Sequence, residues 1–155
     1  MTHPRTPELD DLDRAILRLL AEDGRRSYAD LARETGLSTS AAHQRVRRLE
    51  QRGVVTGYAA SLDPVATGRP LTAFVSITPI DPAAPDDAPD RLRHLDSIQA
   101  CHSVAGDESY ILEVRVAGPG DLELLLQEIR AAAGVRTRTT VVLSTPWEGR
   151  TPPPV

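Results

Sequence analysis

A chain of 155 residues has room for one or two small domains, and its formal net charge of −4 excludes a protein that coats polyanions over its whole surface. The single cysteine, Cys101, excludes an intramolecular disulfide framework, and 3% aromatic residues are too few for a stacking platform on single-stranded nucleic acid. No apolar run approaches the ~20 residues that span a bilayer, and the opening MTHPRTPELDD lacks an apolar signal core, so no membrane partner and a cytoplasmic location are expected.

Charge is distributed unevenly. Residues 1–63 balance arginines against acids, and the remainder carries the whole net charge. Within the first part, Arg45, Arg47, Arg48 and Arg52 face one acid, Glu50. Every cation is an arginine, the side chain that donates two parallel hydrogen bonds. A neutral head with a local basic cluster suits site-specific DNA binding better than coating.

In chain order, residues 1–8 are expected to be flexible. Leu9, Leu12, Ile16 and Leu19 or Leu20 recur at helical spacing over 9–24, with Asp10 and Asp13 at the N-terminus and Gly24 at the end. Ser27 can cap a second helix, with Asp30 three residues on. Gly36 suits a left-handed terminus, Leu37 plugs the turn, and Ser38 or Thr39 caps a third helix. Ala42, Val46 and Leu49 form the core stripe of that helix. Its other face holds Ser40, Gln44, Arg47 and Gln51, flanked by His43 and Arg48. Gly53 stops it. The following VVTGYAASLD alternates loosely, like a small wing or exit strand.

Two short helices joined by a tight turn, the second ending in arginines, form a helix-turn-helix. Bases demand such residues: arginine reads guanine, and glutamine reads adenine, through paired hydrogen bonds. Thr39, Ser40, His43 and Gln44 lie where base edges are reached, with Arg47 one turn on. Arg45, Arg48 and Arg52 are placed on phosphates or local acids.

The second half reads as strand, helix, strand, strand, helix, strand. Leu71, Ala73, Val75 and Ile77 alternate along 71–79. PIDPAAPDDAPD is a loop, 90–97 a short helix, and 98–106 and 109–118 strands joined by Gly106-Asp107-Glu108. Leu122, Leu125, Leu126 and Ile129 stripe a helix over 121–134, and 135–145 is the last strand. The order βαββαβ is a ferredoxin-like split βαβ, giving an α+β chain. The domains are 9–57 for the winged helix-turn-helix, 58–70 for an exit strand and hinge linker, and 71–146 for the ferredoxin-like module. Residues 147–155 are expected to be a loose tail, with Trp147 at a sheet end or an interface.

The chemistry of enzymes finds little support. There is no G-x-G-x-x-G, phosphate loop or G-x-S-x-G elbow. Ser109 and His102 could meet on adjacent strands, but no acid is evident to orient the histidine. His94 and His102 lack neighbouring ligands at metal spacing, so neither a metal nor a cofactor is expected.

The ordered set LDDLDRAILRLLAEDGRRSYADLARETGLS, RVRRLEQRGVVTGYAASLDPVATG resembles the N-terminal half of the Lrp/AsnC, or feast/famine, family of bacterial transcriptional regulators. The matches run through Gly24-Arg25, Leu31-Ala32, Gly36-Leu37-Ser38, Arg45-Val46, Leu49-Glu50, Gly53-Val54-Val55, Leu62-Asp63-Pro64 and Gly68. The resemblance implies that Arg25, Ser38, Thr39, Ser40, His43, Gln44, Arg47 and Arg48 serve double-stranded DNA carrying a two-fold symmetric operator. It also implies that the second module binds a small effector, usually an amino acid, between dimers. Such modules pair their sheets into homodimers, which assemble into higher, often octameric, rings. The family's effector loop reads V-x-G-x-x-D-Y-x-L. Gly106, Tyr110 and Leu112 match it, whereas Ser109 stands where the pattern has Asp, the anion for an effector's α-amino group. Asp107 or Glu108 could replace that charge, the ligand could lack the amine, or there could be no ligand. Thr137 and Thr139, alternating on the last strand, could line the same site. An architectural protein that bends or wraps DNA without a ligand is the alternative function.

Overall fold

The computed structural model describes residues 8–83 and 85–149. The expected flexibility of 1–7 and the tail beyond 149 lie outside those residues. The chain divides into two compact units. One holds the described residues to Ser61 together with 147–149; the other is Leu62–Pro146.

The first unit is three helices, α1 (Asp11–Glu22), α2 (Tyr28–Thr35) and α3 (Thr39–Gln51). Each start is capped by a side chain that accepts an otherwise orphaned backbone N–H. Asp10 accepts from Asp13, Ser27 from Asp30 and Ser38 from Ala41. Ser38, not Thr39, is therefore the cap of α3. Its extended backbone leaves the side chain beside the first turn, whereas Thr39 is already helical. The Ser27 hydroxyl also donates to the Asp30 carboxylate at 2.6 Å, which lowers the Asp30 pKa with help from Arg33. Gly36 ends α2 at φ +71°, where a β-carbon is strained.

The apolar stripes meet as periodicity requires. Ile16, Leu31, Ala32, Ala42, Val46 and Leu49 are the buried set, with Leu9, Leu17, Leu19, Leu20, Leu37, Val54 and Val55 packed around them. Residues 54–63 are not a strand, contrary to the wing or exit strand expected there. A strand is defined by a ladder, and among the described residues no strand pairs with this segment to complete one. Tyr58 instead packs against Gly24 and donates its hydroxyl to Glu50 at 3.0 Å.

The second unit is a four-stranded antiparallel sheet of order β2-β3-β1-β4, with α4 and α5 on one face. Its elements are β1 (Leu71–Pro79), α4 (Ala88–Leu92), β2 (Ile98–Ser103), β3 (Tyr110–Val116), α5 (Pro119–Ala133) and β4 (Val135–Val141). This is the split βαβ order: each crossover helix skips one strand. Ala73, Val75 and Ile77 of β1 and Leu112, Val114 and Val116 of β3 point to the helices, which supply Leu92, Leu122, Leu125 and Ile129. The α4 helix starts two residues earlier than read and ends at Leu92, because Pro89 occupies a first-turn position where its missing N–H costs nothing. β1 has the bounds read for it, whereas β2, β3 and β4 are each shorter than read. No helix among the described residues is long and apolar enough to cross a membrane.

Candidate DNA-reading helix and effector loop

The core stripe of α3 fixes which way its other residues point. With Ala42, Val46 and Leu49 buried, Thr39, Ser40, His43, Gln44, Arg47 and Arg48 are all exposed. Ser38 precedes them as cap, its hydroxyl 3.2 Å from that of Ser40. The Tyr28 ring on α2 stands edge-on to His43, with centroids 4.7 Å apart, and so restricts the imidazole's direction. Arg25 is exposed on the α1–α2 connection, its backbone N–H donated to the Asp23 carboxylate at 2.8 Å.

The arginines of α3 divide into two groups. Arg45 donates to Asp10 at 2.6 Å and to Asp13 at 2.7 Å. Arg48 lies 3.5 Å from the same Asp13 carboxylate, and Arg52 donates to the Glu8 carbonyl at 2.9 Å. Arg47 has no partner among the described residues. Hydrogen bonds from Arg45 hold the Asp10 carboxyl below the usual carboxylate range, and the same carboxylates raise Arg45.

Asp13 is the residue that sequence reasoning underrated. It was placed as a favourable charge at a helix start, yet its residue is only 2% exposed. The signal was available: Asp13 sits three residues before Ile16, on the inward stripe. A carboxylate there requires a cation, which α3 supplies. Tyr28 was missed because a ring contact between two helices leaves no periodic trace.

In the second unit the proposed effector residues fall into two places. Gly106, Asp107 and Ser109 lie in the β2–β3 connection, where the Ser109 backbone N–H donates to the Ile77 carbonyl at 3.0 Å. Thr137 and Thr139 lie on β4 opposite Ile77 and Val75, hence on the helix-bearing face. The ion pair between Glu108 and Arg138 links connection and strand. Tyr110 pairs with Ile77 from the other side, so it stands about 10 Å from Thr137 across two ladders. Tyr110 is buried in the core, and its hydroxyl donates to Asp86 at 2.8 Å, which raises its pKa. The Thr137 hydroxyl accepts from Arg130 at 3.1 Å.

Of the two acids that could replace the missing Asp, Glu108 is engaged with Arg138, while Asp107 is exposed and without a partner among the described residues. The register sets His102 opposite Ile111, so it does not face Ser109. Cys101 faces Leu112 and lines a hollow of about 430 Å³ with Leu92, Leu95, Ile98 and Tyr110; desolvation there pushes its thiol pKa up, away from reactivity.

Comparison with known proteins gives one answer for both units. The model for the AsnC-type helix-turn-helix domain matches residues 9–50, and that for the Lrp/AsnC ligand binding domain matches residues 72–152. The HTH-type transcriptional regulator LrpA of Mycobacterium tuberculosis is 56% identical over 142 residues, spanning 92% of this chain and 95% of the relative. The leucine-responsive regulatory protein of Escherichia coli K12 is 40% identical over 141 residues, spanning 88% and 85%. Among solved structures, a feast or famine regulatory protein from M. tuberculosis complexed with L-methionine superposes with a TM-score of 0.92 at 55% identity, over 95% of this chain and 100% of that one. The AsnC of E. coli does so at 0.82 and 29% identity, over 95% and 99%. Both domain models, in order and on the elements that form the two units, establish that this chain belongs to the Lrp/AsnC family of transcriptional regulators, which are DNA-binding proteins rather than enzymes.

Proposed function

We propose that this regulator reads a two-fold symmetric operator with α3 and answers to a small molecule at the β2–β3 connection. The observation that carries the first part is the division of the arginines. Arg47 alone among them projects from the exposed face without a partner among the described residues, one turn beyond His43 and Gln44. It is assigned to a guanine edge, Thr39, Ser40, His43 and Gln44 to neighbouring bases, and Ser38, Arg25 and Arg48 to the backbone of the duplex.

Asp107 takes the role of the anion for an effector's amino group, with Gly106 letting the backbone approach and Ser109, Thr137 and Thr139 offering hydroxyls. Tyr110 acts as the buried support of the connection. The ligand class is an amino acid, as for the relative complexed with L-methionine. The sheet face opposite the helices carries Phe74, 42% exposed, and half-buried Ile111. A second copy covers that face in a homodimer, and dimers assemble further, up to an octamer, placing effectors between them. The protein works in the cytoplasm.

The test is binding of the full chain to duplex DNA from upstream of its own gene, at fixed salt, with and without a panel of amino acids including L-methionine. A shift in affinity with one amino acid, lost in Asp107→Asn, is the expected result. Binding that no amino acid alters would overturn the effector assignment and favour a ligand-independent architectural role.

A further inference from the structure

The buried Asp13 carboxylate does more than close the head, and this inference rests on α3 being the DNA-contacting helix. Asp13 belongs to α1, yet both of its side-chain partners, Arg45 at 2.7 Å and Arg48 at 3.5 Å, belong to α3. The two arginines differ. Arg45 has a second carboxylate, Asp10, and its side chain is only 22% exposed, so it is held as a tie between the helices. Arg48 is 52% exposed at the side chain and lies at the long limit of an ion pair, beside an open cleft of about 380 Å³ lined by Glu8, Leu9, Asp10, Asp13 and Arg52. With its guanidinium half-exposed and at that distance from a carboxylate already held by Arg45 at 2.7 Å, Arg48 is the weaker and more exchangeable partner of Asp13.

The geometry points to Asp13 as a specificity-determining positioning residue, which orients α3 through Arg45 and holds Arg48 back from DNA phosphate until a fitted site draws it away. A phosphate must compete with a carboxylate already in place. Random duplex DNA, which docks loosely, gains little from Arg48; an operator that seats α3 gains all of it. The device suits a head whose charges otherwise balance. A free Arg48 would raise affinity for every sequence alike, because phosphate contacts carry no sequence information.

The experiment measures affinity of the full chain for operator and for random duplex over a range of salt, for wild type, Asp13→Asn, Asp10→Asn and Asp13→Asn/Arg48→Gln. Asparagine keeps an oxygen for Arg45 and removes the charge that holds Arg48. In Asp13→Asn, binding to random DNA should tighten, and its log–log salt slope should steepen by about 0.9 per head, equivalent to about a 3.5-fold greater loss over a fourfold rise in salt. The ratio of operator to random affinity should fall. Asp10→Asn, which touches Arg45 but not Arg48, should leave the random-DNA slope unchanged, and the double variant should return it to the wild-type value. Thermal unfolding identifies a variant that has lost its fold. Should Asp13→Asn do so, Arg48→Gln alone decides: it should leave random-DNA affinity nearly unchanged while weakening operator binding, whereas an Arg48 already free would lower both alike. Slopes and ratios identical to wild type in folded Asp13→Asn would overturn the proposal and leave Asp13 a structural tie. Absence of duplex binding in every protein, wild type included, would overturn the reading of α3 and the proposal with it.

Discussion

The two units of this protein solve the same problem of stability with different means. Among the described residues the sheet unit buries thirteen side chains in one cluster, all apolar apart from the Tyr110 hydroxyl, and its ion pairs lie outside that cluster. The head buries six, with Leu residues only partly covered around them, and adds a carboxylate–guanidinium network across α1 and α3. A small core leaves little margin, so the head depends more on each contact. The gain is that the same network fixes α3, the helix proposed to meet DNA.

The sharpest way to break this comparison is to remove one core leucine from each unit. Leu112→Ala and Leu31→Ala should each cost about 2–5 kcal/mol, since both are fully buried and leave cavities. In denaturant titrations the Leu31→Ala protein should lose its DNA-binding helices before its sheet, giving two transitions. One shared transition, shifted equally by both substitutions, would show that the units unfold together and the comparison fails.

A smaller effect separates the arginines. Arg47→Ala should leave stability unchanged, weaken operator binding by about 1–3 kcal/mol and relax preference at one base pair. Sequence selection with the variant protein checks this, and an unaltered base preference would remove Arg47 from the base-reading group.

Smaller still is the response to pH. In the head, burial and the neighbouring Glu50 carboxylate push the Tyr58 phenol up to about 12 from its ordinary 10.0. A raised pKa contributes stability that is complete below the unfolded value and is lost as pH rises from 10 through about 12. At the other end, Asp10 and Asp30 are depressed by their partners, so their contribution is present above the ordinary 3.8 and lost as pH falls below it. Phenolate absorbance should show Tyr58 and Tyr110 both titrating above the ordinary 10.0, and Tyr58→Phe should remove the component near 12 while leaving that of Tyr110. If the late-titrating amplitude does not fall by one tyrosine in that variant, the assignment to Tyr58 is wrong. Both tyrosine and carboxylates are exposed enough for solvent to screen these effects to a minor share of stability.

The sheet unit was the more legible in sequence. Alternation in β1 and β3 marks one buried face, and the order of elements allows few topologies once crossover rules apply. In the head, periodicity and cap chemistry placed all three helices. What went unread there were the pairings between helices: Arg45 with Asp13, Tyr28 with His43, Tyr58 with Glu50. These join residues 32, 15 and 8 positions apart, and nothing in local composition says which acid meets which arginine.

The exit segment failed for a related reason. Residues 54–63 have the alternation of a strand, but a strand exists only where a neighbour offers hydrogen bonds. The residues proposed for an effector were legible as types and not as a site. Thr137 and Thr139 were found by alternation and Gly106 to Tyr110 by their loop; the sheet order then set Ile77 between them.

By itself the sequence determined the three helices of the head, the strands and helices of the sheet unit and their buried faces, because those follow from spacing along the chain: 3.6 residues per turn, two per strand repeat, and polar caps at the ends. Only the tertiary structure decided which charges on α3 are engaged. Arg45, Arg47, Arg48 and Arg52 are equivalent as letters, and the carboxylates of Asp10 and Asp13 and the carbonyl of Glu8, brought from another part of the chain, engage the other three and leave Arg47 without a partner among the described residues.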